Sequence, residues 1–325
     1  MNQSADEFSL IRTIDAIIGH PGPRVQLGIG DDAAILKTPS GKMLFCSDAM
    51  VEGIHFDLAY TSAKDLGHKA LASCLSDIAA MNGTPLYAVL SLALPAHHGD
   101  EFLKEFYTGA IELARPLQVD IVGGDLSSSK NGIFIDVACV GECSHPITRR
   151  GARPGDLLAV SGFPGSAAAG LYVLQNLSKE LRPDDLCRAH LRPVPRFDLL
   201  PALASGIGTS TCTSLIDVSD GLSSELHHLA KQSNVGFRID AQKIPLAPQA
   251  RALAATIPLD PLSWALNGGE DYELLATFDA TKGLPDSRWT VIGSAVSAEL
   301  GVTLCRADGS SRLIEARGYR HFTSS

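Results

Sequence analysis

Short apolar segments followed by an acidic residue beside glycine or serine recur throughout this chain. Segments of this length and composition are typical of β-strands, and stretches with helical apolar spacing lie between them. Such alternation predicts an α/β fold of the α+β type in which many carboxylates stand at strand ends. The acidic turns are Gly30-Asp31-Asp32, Ser47-Asp48, Ser76-Asp77, Gly124-Asp125, Asp217-Val218-Ser219-Asp220 and Gly269-Glu270-Asp271.

A segment rich in Pro, Gly and Arg, residues 145–155, has the composition of a domain junction. We therefore predict two α/β domains, 1–145 and 146–325, that face each other across a cleft. Predicted strands are 33–36, 43–46, 87–94, 119–122 and 133–140 in the first domain, and 157–160, 215–218, 237–239, 272–278 and 289–292 in the second. Predicted helices begin near Asp6 and span about 62–82, 99–115, 164–176, 193–204 and 222–232.

Composition restricts the partners of this protein. The 325 residues carry a net charge of -9, which argues against nucleic acid or an anionic membrane as a main partner. The chain opens with no basic-then-apolar signal and has no apolar stretch long enough for a bilayer. Its seven cysteines form no C-x-x-C pair, and Cys139 and Cys143 lack four-ligand zinc spacing. A reducing, cytoplasmic location is the expectation.

Asp77 is the most informative single residue. In the predicted helix 62–82, it falls on the same stripe as Leu66, Ala70 and Met81. A buried charge is costly unless it is paired. The partner is either a basic residue such as Lys69, a helix end elsewhere, or a metal ion.

The other acidic turns have the same two interpretations. Asp48 and Asp125 are predicted to follow strands directly, where an aspartate is either a turn former or a metal ligand. Asp217 and Asp220 flank a strand-to-helix turn, whose N-terminus either is capped by Ser219 or Asp220 or attracts a phosphate. Taken together, the six turns favour a site in which several Mg²⁺ ions handle polyphosphate.

Known phosphate motifs and catalytic bases are absent from the sequence. It contains no G-x-x-x-x-G-K-[ST] loop and no kinase-type glycine loop. Arg149, Arg150 and Arg153 form either a phosphate contact or a solvated basic loop. No histidine has a clear partner as general base. A phosphate-monoester oxygen, which is already mostly ionised at neutral pH, is an acceptor that needs no such base.

Taken together, the motifs of this sequence resemble those of the thiamine-monophosphate kinase family. They occur in the same order and extend over nearly the whole chain. The parent superfamily, with aminoimidazole ribonucleotide synthetase and selenophosphate synthetase, shares only part of the set. The matching segments begin with Gly28-Ile29-Gly30-Asp31-Asp32-Ala33-Ala34, Ser47-Asp48, Val51-Glu52-Gly53-Ile54-His55-Phe56, Lys69-Ala70-Leu71-Ala72 and Leu75-Ser76-Asp77-Ile78-Ala79-Ala80-Met81. They continue with Gly123-Gly124-Asp125, Arg149, Gly151, Pro154-Gly155-Asp156, Asp217-Val218-Ser219-Asp220-Gly221-Leu222, Gly268-Gly269-Glu270-Asp271-Tyr272-Glu273-Leu274 and Gly318-Tyr319.

The resemblance implies ATP-dependent phosphorylation of thiamine monophosphate to thiamine diphosphate, with Mg²⁺ as cofactor. It also implies a homodimer in which two N-terminal sheets pair into a barrel. The implied metal ligands are Asp32, Cys46, Ser47, Asp48, Asp77, Asp125, Asp217 and Asp220. The implied nucleotide contacts are Gly124, Asp125, Arg149, Ser219 and Tyr107, and the implied thiamine monophosphate contacts are His55, Glu270 and Tyr319.

Three positions depart from the family pattern. Cys46 stands where Ser or Thr is expected, Leu126 replaces a usual Thr, and Asn82 replaces a usual Gly. None of them removes a carboxylate, so we expect an active enzyme. The alternatives are another ATP-using synthetase of the superfamily and a non-catalytic protein that binds Mg-nucleotide.

Overall fold

The computed structural model describes residues 7–29, 33–203 and 211–319. Gly30, Asp31 and Asp32 lie outside the described residues. The prediction that Asp32 is a metal ligand therefore falls on a residue outside the described part of the chain. Two compact units divide the chain. The first comprises Met1–Ile78 and Gly83–Ser144, and the second comprises Ala79–Asn82 and His145–Ser325.

The first unit has a four-stranded mixed sheet with the strand order β3-β6-β4-β5. Strands β4 and β5 are parallel and the other two pairs are antiparallel. A separate pair, β1-β2, covers Tyr87 and Val122 at one end of this sheet. The elements are α1 (Glu7–Ile18), β1 (Val25–Leu27), β2 (Ile35–Leu36), β3 (Lys42–Val51), α2 (Ala63–Ala80), β4 (Thr84–Pro95), α3 (Asp100–Ala114), β5 (Asp120–Ser129) and β6 (Phe134–Cys143).

Helix α2 covers one face of this sheet and approaches α3 closely. On that face, the Cys74 thiol donates to the Val137 carbonyl of β6 at 3.2 Å. A Cβ atom at Gly67 of α2 would overlap the Phe106 carbonyl of α3, and one at Gly109 of α3 would overlap the Lys64 carbonyl. The two glycines therefore let the helix backbones touch.

The opposite face of the sheet presents large apolar side chains to solvent. Phe45 is 68% exposed and Met43 is 63% exposed, and both lie on the edge strand β3. Val51, Val89 and Phe134 are also exposed large apolar residues of this sheet. Monomeric proteins seldom expose such a patch without a partner for it.

The second unit has a seven-stranded sheet with the order β13-β12-β9-β11-β7-β10-β8, in which only β9 and β12 are parallel. Apolar clusters pack on both faces, as the alternation of Leu158 and Val160 with Ala159 in β7 shows. The strands are β7 (Leu157–Ser161), β8 (Cys212–Asp217), β9 (Gly236–Asp240), β10 (Leu274–Phe278), β11 (Trp289–Val296), β12 (Val302–Cys305) and β13 (Ser311–Leu313). The helices are α4 (Ser166–Asn176), α5 (Asp184–Leu191), α6 (Leu200–Leu203), α7 (Leu222–Ser233), α8 (Pro248–Ala254) and α9 (Pro261–Asn267).

The predicted mixed α/β fold is confirmed and has two main sheets, but the predicted ends of two strands are wrong. Asp48 and Asp125 do not follow strands: each lies inside one, in β3 and β5 respectively. All ten residues of β3 pair with β6, so the ladder continues through the charged residue. The predicted helix 193–204 shrinks to one turn at Phe197–Leu199 followed by the short α6. Across the described ranges, no helix combines the length and apolarity needed to cross a membrane.

Candidate functional site

In the first unit, two acidic residues lie beside the Cys46 thiol. Asp48 is two residues further along β3, on the same side of the strand, and Asp77 comes from α2. The Cys46 thiol donates to the Cys74 carbonyl at 3.3 Å, and the two sulfur atoms are 3.6 Å apart. The pKa of Cys46 is raised by the Cys74 hydrogen bond first, then by burial, and further by the charges of Asp77 and Asp48. The structure thus brings Asp48 and Asp77 together.

Ser47 belongs to the other side of β3. Its side chain is exposed, while those of Cys46 and Asp48 are half-buried. The Ser47 hydroxyl therefore does not join the two carboxylates, because it lies on the other side of the β3 main chain.

Asp125 and Gly124 lie far from Asp48 within one chain. They belong to β5, whereas Asp48 belongs to β3, and these are the two edge strands of the sheet. Three inter-strand steps separate the edges, which is roughly 14 Å. A Cβ atom at Gly124 would overlap the Leu90 carbonyl of β4, which explains the glycine there.

His55 and Tyr107 are held in different ways. In the turn after β3, the Val51 N–H donates to His55 Nδ1 at 3.0 Å, so the ring proton is on Nε2. Tyr107 of α3 is 3% exposed and packs edge-on against Phe106. Burial raises the pKa of Tyr107. In this structure its ring is not accessible to a nucleotide.

In the second unit, three segments are joined through their backbones around the end of β8. The Glu270 N–H donates to the Ser219 carbonyl at 2.7 Å, and the Tyr319 N–H donates to the Asp220 carbonyl at 3.2 Å. Asp217, the last residue of β8, is buried. The structure therefore gathers Asp217, Ser219, Asp220, Glu270 and Tyr319 in one place.

Glycines make this close approach feasible. Gly221 has φ +109°, a conformation that L side chains rarely adopt. A Cβ atom at Gly318 would meet the Asp220 carbonyl, and one at Gly269 would overlap the Ser219 carbonyl. These contacts require small residues beside both acidic turns.

Two residues of this region, Glu225 and His190, were not identified by the sequence analysis. Glu225, in the first turn of α7, accepts the Asp220 N–H through Oε1 at 2.9 Å. His190, buried on α5, has its Nδ1 atom 3.5 Å from Glu270 Oε2. The only sequence signal was a Glu in a first helical turn, and His190 had none because α5 was not predicted.

The remaining acids of the Gly269 turn have structural roles. Asp271 accepts the Gly165 N–H at 2.6 Å and the Ala167 N–H at 2.9 Å, which caps α4. Burial raises the pKa of Asp271 to about 8. Glu273 accepts hydrogen bonds from Ser161 and Arg196. Of the three acids in this turn, Glu270 is the one whose N–H donates to the Ser219 carbonyl, while its carboxylate lies beside His190.

Arg149 is exposed and belongs to the second unit. Its carbonyl accepts the Ser233 hydroxyl of α7 at 2.9 Å, which fixes its backbone. Burial lowers the pKa of His228 most, the charge of Arg149 lowers it further, and Asp220 raises it. The guanidinium and the Asp220 carboxylate therefore both act on the same part of α7.

The donor chemistry suits Mg²⁺, but there is no complete cage. Among the described residues, no three His, Cys, Asp or Glu side chains converge closely enough to enclose a metal ion. Mg²⁺ usually keeps several waters and takes only one or two carboxylates plus substrate phosphates. The Asp48–Asp77 pair and the Asp217–Asp220 turn fit that requirement. So does the buried Glu225 Oε2, an acceptor without a hydrogen-bond partner in the described structure.

The fold and these acidic turns define a protein of the AIR synthase-related class. The family described as AIR synthase related protein, N-terminal domain, matches residues 30–143. Over 98% of this chain, it is 36% identical to the thiamine-monophosphate kinases of Bacillus subtilis and Escherichia coli K12, covering 99% and 98% of those proteins. The chain belongs to the thiamine-monophosphate kinase family.

Solved structures agree. A thiamine-monophosphate kinase from Stenotrophomonas maltophilia has a TM-score of 0.81 at 32% identity, covering 95% of this chain and 99% of that one. A structure of AaThiL complexed with AMPPCP and TMP has a TM-score of 0.79 at 34% identity, covering 97% of each chain. The hydrogenase maturation protein HypE in complex with ATP, 21% identical with a TM-score of 0.73, shares the fold.

Proposed function

We propose that this thiamine-monophosphate kinase transfers the γ-phosphoryl group of ATP directly to a terminal oxygen of thiamine monophosphate. A homologous structure holds AMPPCP, an ATP analogue, together with TMP. The observation that carries the proposal is the gathering of Asp217, Ser219, Asp220, Glu270 and Tyr319 by backbone hydrogen bonds. No phosphoenzyme is part of the proposal, because a phosphate oxygen of thiamine monophosphate is itself the nucleophile and the raised pKa of the Cys46 thiol makes it a poor one.

The acidic groups would hold Mg²⁺. Asp48 and Asp77 in the first unit and Asp217 and Asp220 in the second supply carboxylates, with Asp32 and main-chain or side-chain oxygens at Cys46 and Ser47 as further ligands. Bound Mg²⁺ supplies neutralisation of phosphate charge. The chain's own work is to position the two substrates, because the attacking phosphate oxygen is already mostly ionised at neutral pH.

The proposed contacts to the nucleotide have simple physical reasons, with Tyr107 as the exception. Gly124 exposes backbone beside Asp125, and Ser219 lies at the turn into α7, whose N-terminus favours an anion. Arg149 offers an exposed guanidinium to phosphate. Tyr107 stays a prediction that requires its buried ring to become accessible.

We assign the thiamine end to His55, Glu270 and Tyr319. The thiazolium ring of thiamine is a cation, so a carboxylate such as Glu270 attracts it. Tyr319 is partly exposed and offers an aromatic face. His55 presents an Nε2–H donor, which suits a phosphate oxygen.

We further propose a homodimer built through the sheet of the first unit. Its exposed apolar sheet face and two open edges, β3 and β5, support the pairing of two sheets into an eight-stranded barrel. Pairing β3 of one copy with β5 of another would bring Asp48 near Asp125 of the partner subunit. The seven cysteines are free thiols, which supports a reducing, cytoplasmic compartment as part of the proposal.

The test is ADP release by the purified protein with Mg²⁺, ATP and thiamine monophosphate. We expect thiamine monophosphate to stimulate release, and Asp77→Asn to lower kcat by about 100-fold or more with an unchanged circular dichroism spectrum. Asp65→Asn, at the exposed N-terminus of the same helix, is the matched control. Near-normal activity of Asp77→Asn would refute the metal assignment, and no response to thiamine monophosphate would refute the kinase assignment for this chain.

A further inference from the structure

Glu225 is a buried carboxylate with one unused oxygen. Its side chain is 1% exposed and stands in the first turn of α7. Oε1 accepts the Asp220 N–H at 2.9 Å, whereas Oε2 has no hydrogen-bond partner in the described part of the chain. A buried acceptor without a donor is costly and calls for an explanation.

The surroundings of Glu225 are acidic. Oε1 contacts the backbone of Asp220, and Asp217 stands three residues before it at the end of β8. These are the carboxylates to which we assign Mg²⁺ in the second unit. A buried carboxylate beside an acidic turn is stabilised by a positive charge or a bound proton.

The neighbouring hydroxyl at Ser223 is already used. Its oxygen donates to Asn267 Oδ1 at 3.2 Å and accepts the Arg317 N–H at 3.2 Å. Since Oε2 has no donor among the described residues, a donor that comes with a ligand would satisfy it. A Mg²⁺ ion held by one or two carboxylates keeps several of its waters, and each such water is a donor.

Resting on the proposed Mg²⁺ site, we propose that Glu225 is a positioning residue that accepts a hydrogen bond from a Mg²⁺-bound water through Oε2, while Oε1 anchors Asp220. Partners of this kind, which touch the ligands and waters of a metal but not the metal, set its affinity. Glu225 thereby couples the backbone of the Asp217–Asp220 turn to the presence of the cation.

The test measures metal binding rather than turnover alone. Mn²⁺ binding to the full-length protein without nucleotide is followed by electron paramagnetic resonance, and Mg²⁺ binding by competition. The variants are Glu225→Gln, Asp217→Asn and, as matched control, the exposed Glu299→Gln. Glu225→Gln keeps an acceptor for Asp220 but can place an N–H₂ donor where Oε2 stood, so the fold is retained while the acceptor is lost.

We expect Glu225→Gln to weaken one class of Mn²⁺ sites by about 10-fold or more, and to need more Mg²⁺ for half-maximal activity. Asp217→Asn should weaken the same class, and Glu299→Gln should bind like the wild type. Unchanged binding by Glu225→Gln overturns the inference. If Asp217→Asn is also unchanged, the proposed metal site fails as well, whereas weakened binding by Asp217→Asn alone refutes only the role of Glu225.

Glu225→Asp separates this role from a purely structural one. The shorter carboxylate retains the acceptor chemistry, so it should recover part of the affinity that Glu225→Gln loses. If Glu225→Asp and Glu225→Gln are equally impaired in Mn²⁺ binding and equally reduced in melting temperature, the side chain acts through packing, and the inference is overturned.

Discussion

Glu270 stands in a conformation that residues with side chains rarely adopt. Its φ is +67°, and its N–H is held by the Ser219 carbonyl at 2.7 Å. Such backbone strain is retained when the surrounding structure determines it, and it concentrates at functional sites. The buried His190 contacts Glu270 Oε2 with Nδ1 at 3.5 Å, and its ring therefore helps to fix where the carboxylate points.

Removal of the His190 ring should weaken the binding of thiamine monophosphate more than the binding of ATP. We expect His190→Ala to raise the KM for thiamine monophosphate about ten-fold, equivalent to about 1.4 kcal/mol, with the KM for ATP nearly unchanged. His190→Gln, which retains a donor, should recover part of the loss, and the exposed His145→Gln is the control. Equal increases in both KM values would show that His190 supports the fold rather than Glu270.

The positions of some acidic turns relative to strands were predictable because they follow local sequence rules. Asp217 was expected at the end of a strand and is found there, since an apolar run followed by Asp-Val-Ser-Asp-Gly is a local pattern. His190 and Glu225 were not, because their roles depend on a carboxylate and a backbone N–H brought to them by the fold. The departure at Cys46 also depends on the fold: its thiol packs against Cys74 of α2, and a single sequence does not reveal that contact.

At the scale of elements, the charge at Asp48 misled the prediction of β3. Leu44, Cys46, Asp48 and Met50 form its more buried row, while Met43, Phe45, Ser47, Ala49 and Val51 form the exposed one. The more buried row contains a carboxylate and the exposed row contains four apolar residues, so the strand does not show the usual pattern. In β5, two glycines and three serines weaken the strand propensity in the same way.

The cap of α4 gives a prediction for pH dependence. Asp271 is ordinarily half-protonated near pH 3.9 when unfolded, and burial raises its folded pKa to about 8. The folded protein thus binds more protons than the unfolded one between these values, so this group makes stability fall as pH rises from about 4 to about 8. Glu225, with its raised pKa, acts in the same direction.

We therefore expect Asp271→Asn to lose less melting temperature than the wild type between about pH 5.5 and pH 8. Asp260→Asn is the matched control, because Asp260 also caps a helix, α9, but is exposed. Differential scanning calorimetry at the two pH values measures the effect. A pH dependence of Asp271→Asn as steep as that of the wild type would contradict the raised pKa.

The contact of α2 with α3 depends on two glycines. An added methyl at Gly67 or Gly109 would overlap a carbonyl of the other helix, and backbone cannot yield as a side chain does. We expect Gly67→Ala and Gly109→Ala each to destabilise the protein by about 1–3 kcal/mol, measured by urea unfolding. The double variant should lose less than the sum, because the first substitution already separates the helices. Gly28→Ala, whose added Cβ would make only an ordinary contact with Val25, should be close to wild type.

At the scale of the molecule, the exposed sheet face and the separation of Asp48 from Asp125 have one explanation. An apolar face with Phe45 and Met43 in water is unfavourable, and burying it in a symmetric dimer removes that cost. The proposed pairing would close both open edges. It would also give each proposed site Asp48 from one copy and Asp125 from the other, because β3 and β5 are opposite edges of the sheet within one chain.

Light scattering should therefore give twice the chain mass of 34.3 kDa for the wild type and a lower mass for Phe45→Glu. Leu181→Glu, an equally exposed apolar residue of the second unit, should remain dimeric. A fully active monomeric wild type would contradict the dimer.

Complementation tests the shared site directly. Asp48→Asn and Asp125→Asn homodimers should each be inactive, since every site lacks one carboxylate. In a mixed dimer, one site receives both substitutions and the other receives neither.

Unfolding and refolding an equimolar mixture should therefore restore roughly a quarter of wild-type activity, because half of the randomly assorted dimers then hold one intact site. Asp48→Asn mixed with Asp77→Asn is the control: both residues lie beside Cys46 in the same copy, so their mixed dimer has one substitution in each site and regains nothing. No recovery in the test pair, when wild type refolded in the same way regains its activity, would place Asp125 with Asp48 of its own chain and overturn the shared site.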